Sequence, residues 1–110
     1  MNNSQFGFKE GDLEIILTQV AKFPDIEKCI IYGSRAKGNS QQGSDVDIAI
    51  VSNDKSIAPE ISSLLNEESP LPYTFDVIDF NTITYQDLTV QINRSGIIIY
   101  DRNSQFATHD

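Results

Sequence analysis

A glycine and a serine followed, after ten intervening residues, by two aspartates one residue apart are the groups in this chain best suited to chemistry. They are Gly33-Ser34 and Asp45-Val46-Asp47. Successive strand side chains point to opposite faces, so Asp45 and Asp47 share one face of a strand while Val46, Ile48 and Ile50 take the other. Two carboxylates side by side repel each other. A hard divalent ion such as Mg²⁺ relieves the repulsion, with substrate phosphates completing its oxygen shell. Gly33 lets the backbone turn sharply or approach a ligand closely. The N–H groups of a turn that opens a helix attract an anion. A phosphate cradle and a metal pair on neighbouring strands point to a nucleoside triphosphate. Arg35 and Lys37 add positive charge to the same segment: either ordinary solvated charges or triphosphate ligands, with Lys37 the better candidate. Each half is common alone, since Gly-Ser also marks plain turns and Ser44-Asp45 also caps them. Their order and spacing together select the nucleotide reading.

These residues need a frame. Residues 30–51 read as strand, glycine turn, short helix, polar loop, strand. The first strand, 29–32, is almost continuously apolar and expects burial on both faces. The loop 39–43 must return the chain so that the strand from Asp45 pairs beside the first. Upstream, Leu13, Ile16, Leu17, Val20 and Phe23 recur at helical spacing and predict a packing helix over 12–23. Asp12 and Glu14 suit its start, with Asp12 a candidate N-cap, and Pro24 stops it. A second helix is expected over 58–67, with Pro59 in its first turn. Residues 73–80 form a third strand, rich in aromatic and branched side chains. A helix over 85–93, with Thr84 as N-cap, and a short strand over 96–100 complete the order.

Within the third strand Asp76, between Phe75 and Val77, calls for a reason. A third carboxylate facing the metal pair supplies one. Asp79 is the competitor, but three residues on it faces the opposite side, so Asp76 is preferred. Tyr85 and Tyr100 read as packing residues.

Gly33-Ser34-Arg35-Ala36-Lys37-Gly38 with Ser44-Asp45-Val46-Asp47-Ile48-Ala49 resembles the signature of the DNA polymerase β-like nucleotidyltransferase superfamily, and within it the minimal nucleotidyltransferase branch. The resemblance implies a palm-like α/β (α+β) domain: a mixed sheet of about four strands with helices on one face and an open catalytic face on the other. It implies Mg²⁺-dependent transfer of AMP from ATP, with two ions. Asp45, Asp47 and Asp76 would be metal ligands and catalytic acids, and Gly33, Ser34 and Lys37 would hold the nucleotide phosphates. Larger relatives carry a second, helical domain for the acceptor. The 110 residues leave room for one domain only, which implies that the acceptor is held by another polypeptide or is that polypeptide. Minimal nucleotidyltransferases typically accompany a helical HEPN (higher eukaryote and prokaryote nucleotide-binding) ribonuclease and act as its antitoxin by adenylylating a tyrosine. Two other readings remain at this level. One is a non-catalytic antitoxin that neutralises by binding. The other is the catalytic subunit of a two-component enzyme acting on a small molecule.

Composition narrows the classes further. The net charge of −8 argues against binding a nucleic-acid backbone. It does not argue against nucleotides, because bound cations change the local sign. No apolar run approaches a membrane span, and the N-terminus lacks the features of a signal peptide, so a cytoplasmic protein is expected. The single cysteine, Cys29, excludes an internal disulfide and reads as a small core residue. His109, the only histidine, cannot build a zinc site alone. Residues 1–8 and 102–110 are expected to be flexible.

Overall fold

Alternation in the apolar strands dictates a two-faced sheet, and the computed structural model, which describes residues 2–39 and 43–103, contains one. The chain runs α1 (Asp12–Ala21), β1 (Ile26–Tyr32), α2 (Ser34–Lys37), β2 (Val46–Ser52), α3 (Ile57–Ser63), β3 (Phe75–Asp79), α4 (Gln86–Ser95) and β4 (Ile97–Asp101). The four strands lie in the order β3-β2-β1-β4. β1 is antiparallel to β2 and to β4, whereas β2 and β3 are parallel. A parallel pair needs a crossover. α3, prolonged by a π-helical turn over Leu64–Glu68, provides it.

The main core lies between one sheet face and α1 and α3. Ile31, Val46, Ile48, Ile50 and Phe75 from the strands meet Ile16 and Val20 of α1 and Ile61 of α3. Cys29 is buried here, in the middle of a strand that begins three residues earlier than its apolar run suggests. Burial also pushes its thiol up to about 12, so it is inert as a nucleophile in the folded chain.

The mixed four-stranded architecture matches expectation, but the helices do not all lie on one side. α1 and α3 cover one face; α4 packs on the other, where Ile92 meets Ile30, Tyr32 and Ala49, with Leu88 and Ile78 beside them. The physical reason is that this second face is not polar throughout. Past Asp47, β2 presents Ala49 and Val51, which need cover, and the amphipathic α4 supplies it. The catalytic-type acids occupy only the remaining end of the face. Gly96, directly after α4, leaves room for the carbonyl of Ile92 and for Ile30, both of which an added Cβ would meet.

Three smaller expectations change. Residues 2–8 are not a loose lead: Asn3–Phe6 forms a 3₁₀ turn capped by Asn2, and Phe6 is fully buried. A single short turn has no periodicity to read, so its two core phenylalanines, Phe6 and Phe8, escape pattern analysis. Helix α1 takes Gly11 as N-cap, while the Asp12 carboxylate accepts from the Lys9 N–H and the Tyr73 hydroxyl. Helix α4 begins after Tyr85, with no side-chain cap from Thr84, and Tyr85 is 66% exposed rather than packed. Tyr100 is buried, as a packing residue should be. No helix among the described residues is long and apolar enough to cross a membrane. His109 and residues 104–110, like 40–42 of the polar loop, lie outside the described residues.

Candidate active site

Asp47 is fixed by the sheet. It sits in β2 opposite Tyr32 of β1 and opposite Asp76 of β3. Register partners on paired strands project to the same face, so the parallel register places the two carboxylates side by side. Asp45 lies just before β2 and is exposed. Its charge, like that of Asp76, raises the pKa of Asp47. Burial is the largest cause of that shift, Asp76 the next and Asp45 the third, opposed in part by Arg35. Three acids therefore converge at one end of the second sheet face.

Asp79 takes no part. It pairs with Ile50, on the face of the main core, and one of its oxygens caps the Asn81 N–H. The preference for Asp76 agrees with this placement.

Gly33 approaches from above. Its backbone, φ 76° and ψ −151°, belongs to a region open essentially to glycine alone. A Cβ there would stand 2.5 Å from Asp47 Oδ2. The β1–α2 turn thus lies directly against the acid, as a phosphate cradle beside a metal carboxylate must. Ser34 begins α2, half-buried. Lys37 is exposed one turn further along and lines a cleft of about 400 Å³ with Asp87, Val90, Gln91, Arg94 and Ser95 of α4.

Two residues emerge that sequence reading missed or misread. Tyr32 lies immediately before Gly33 and opposite Asp47. Its hydroxyl is pushed up to about 12 by burial first, then by Asp47 and Asp76, so it stays protonated at the acid face. Its position one residue before the glycine, on a strand, was the available signal. Arg35 is neither a solvated charge nor a phosphate ligand. It is 2% exposed, and its guanidinium donates to backbone carbonyls and faces two aromatic rings. Sequence offers no sign of this, because its partners, Phe6, Gly7, Phe8, Ser44 and Tyr73, come from segments scattered along the chain.

Among the described residues, no group of three or more His, Cys, Asp and Glu side chains is arranged to hold a metal ion by itself. The acids nonetheless suit Mg²⁺, which keeps several waters and takes one or two carboxylates plus substrate phosphates. Burial first, then repulsion from Asp76 and Asp45, raises the pKa of Asp47; a divalent cation would relieve the repulsion, and the Gly33 backbone leaves the adjoining space free of side chain.

A family model described as Polymerase beta, Nucleotidyltransferase matches residues 14–105. The chain belongs to this nucleotidyltransferase family. Transfer of a nucleotidyl group is accordingly its chemistry. Among curated proteins it is 28% identical, over 90% of its own length and 88% of the relative's, to the "Probable protein adenylyltransferase MntA" of Haemophilus influenzae. Among solved structures it resembles a toxin–antitoxin complex with AMP-PNP, with TM-score 0.71 and 20% identity over 86% of this chain and 77% of that one. It also resembles a chain of the complex between tri-AMPylated Shewanella oneidensis HEPN toxin and MNT antitoxin, with TM-score 0.52 and 16% identity over 87% of this chain and 78% of that one. At these identities the structural likenesses speak for the fold.

Proposed function

We propose that this nucleotidyltransferase transfers AMP from ATP to a hydroxyl, that of a tyrosine, on a separately encoded HEPN ribonuclease toxin, and so acts as its antitoxin in the cytoplasm. The observation that carries the catalytic part is the pairing of Asp47 with Asp76 across β2 and β3 beneath the Gly33 backbone. The target is supported by the likeness to MntA, named a probable protein adenylyltransferase, and to a chain of the complex between an AMPylated HEPN toxin and an MNT antitoxin. A net charge of −8 favours a protein or nucleotide partner over a nucleic-acid backbone.

In this reading Asp45, Asp47 and Asp76 would be the carboxylates that hold Mg²⁺. When bound, the ions neutralise triphosphate charge and lower the pKa of the attacking hydroxyl. The Gly33 backbone, the Ser34 hydroxyl and the Lys37 ammonium hold the phosphate tail. Asp76, exposed on the strand beside Asp47, accepts the proton of the acceptor hydroxyl as general base. The hydroxyl oxygen then bonds to the α-phosphorus of ATP, and pyrophosphate leaves. These residues act mainly by position and charge.

The test is the intact mass of the co-expressed toxin after incubation with ATP and Mg²⁺. One or more added AMP units that disappear with Asp45→Asn/Asp47→Asn support the proposal, and peptide mapping locates the modified tyrosine. An unmodified toxin held in a stable, neutralised complex would replace it with neutralisation by binding.

A further inference from the structure

The two acids that open β2 are not held in the same way. Asp47 lies inside the strand, where pairing with β1 and β3 fixes its backbone. Asp45 lies outside it, one residue before Val46. The ladder reaches as far as the Val46 N–H, which donates to the Thr74 carbonyl at 2.8 Å. The peptide on the other side of Asp45 needs a different anchor, and Arg35 provides it.

The guanidinium grips the Ser44 carbonyl with two donors, Nη2 at 2.7 Å and Nε at 3.2 Å. On its other side Nη1 donates to the carbonyls of Phe6 at 2.9 Å and Gly7 at 3.4 Å. The rings of Phe8 and Tyr73, with centroids 5.4 and 5.0 Å from Cζ, flank it. A cation buried to this degree, with carbonyls and aromatic faces as its partners, is costly to place and strongly directional once placed. Its planar fork fits two donors to one carbonyl in a way that a lysine ammonium does not. The N-terminal turn, α2, the approach to β2 and Tyr73, two residues before β3, all meet at this one group.

We infer that Arg35 is a positioning residue, which sets the backbone at Ser44 and so holds Asp45 where it can share a divalent cation with Asp47. The N-terminal turn takes part in the same lock, through the carbonyls of Phe6 and Gly7. The inference rests on the reading of Asp45 and Asp47 as metal ligands.

The test is Mn²⁺ binding to the isolated full-length chain with a non-hydrolysable ATP analogue and no acceptor, so that phosphates complete the metal shell, followed by electron paramagnetic resonance. Wild type, Arg35→Lys, Asp45→Asn and the double variant are compared, with circular dichroism confirming the fold of each. Arg35→Lys should weaken Mn²⁺ binding about tenfold, an effect of the size commonly found when a supporting partner of a metal ligand is lost. The double variant should bind no more weakly than Asp45→Asn alone, because the lysine variant acts through Asp45. Full Mn²⁺ affinity in a folded Arg35→Lys protein, or additive losses in the double variant, would overturn the inference while leaving the metal site in place. Wild type that takes up no Mn²⁺ would overturn both. Should Arg35→Lys fail to fold, the wild type still decides by NMR titration with Mg²⁺. The Arg35 Nε–H signal should shift with the same midpoint as the Asp45 amide, and a signal indifferent to Mg²⁺ would refute the lock.

Discussion

Gly33 and Asp47 touch through the space that a side chain on Gly33 would fill. Gly33→Ala meets two obstacles at once, a backbone conformation reserved for glycine and a Cβ 2.5 Å from Asp47 Oδ2. The expected cost is about 1–3 kcal/mol of stability, together with loss of nucleotidyl transfer; thermal unfolding and an AMP-transfer assay measure the two. Asp47→Asn should separate them. The pKa of Asp47 is raised from its ordinary value of 3.8, so the folded state holds its proton more tightly than the unfolded chain. A carboxyl shifted this way contributes stability that is complete below its unfolded pKa and lost as pH rises through the raised one. At neutral pH and without metal, ionised Asp47 therefore works against folding. Asp47→Asn should raise Tm there, an advantage that vanishes under acid conditions, while transfer falls roughly 10²–10³-fold, as when a charge-stabilising group is removed from an active site. A lower Tm for the variant at neutral pH would contradict the assignment of Asp47 as a repelled, metal-seeking acid.

Alternation along β3 sets the contrast between its two aspartates. Asp76→Asn should abolish most transfer and leave Tm at or slightly above wild type, because Asp76 is exposed and its charge repels Asp47. Asp79→Ala should do the reverse. It removes the cap on the Asn81 N–H, costing about 1 kcal/mol, and leaves kcat unchanged because Asp79 faces away from the acids. The N-terminal turn offers a second contrast. If residues 2–8 were a loose lead, Phe6→Ala would be silent. Phe6 is instead fully buried, and its truncation should cost about 3–5 kcal/mol in a denaturant titration. Most helices and strands were legible from periodicity, since each carries an apolar stripe or alternation of its own. The side on which α4 packs was not. An amphipathic pattern shows that a helix has an apolar face, but both faces of this sheet offer apolar partners, and only the assembled sheet shows where Ile30, Ala49 and Ile78 still need cover.

For the molecule as a whole, Cys29 is a built-in reporter. It is fully buried at the centre of the sheet, with its thiol pushed up to about 12. Alkylation by iodoacetamide under native conditions should therefore proceed only through global opening, and its rate should follow the unfolding equilibrium across a urea series. Rapid labelling in the absence of denaturant would show that β1 opens locally. Stability here is shared unevenly. One sheet face and the helices α1 and α3 form the larger core, and the second face divides its area between an apolar end under α4 and an acid end left open. An open acid end is what the proposed protein acceptor would require.

Local chemistry determined a good deal from the sequence alone. The spacing of Gly33-Ser34 and Asp45-x-Asp47, and the opposite faces of Asp76 and Asp79, follow from backbone geometry that repeats every two residues in any strand. The tertiary structure decided what depends on partners far along the chain. It set Asp76 against Asp47 by strand register, Tyr32 against both, and Arg35 among the carbonyls of Phe6, Gly7 and Ser44. A cation two residues after a glycine turn looks the same in sequence whether it faces water or is buried. Its role is set by desolvation and by donors meeting acceptors, and neither exists until distant segments are brought together.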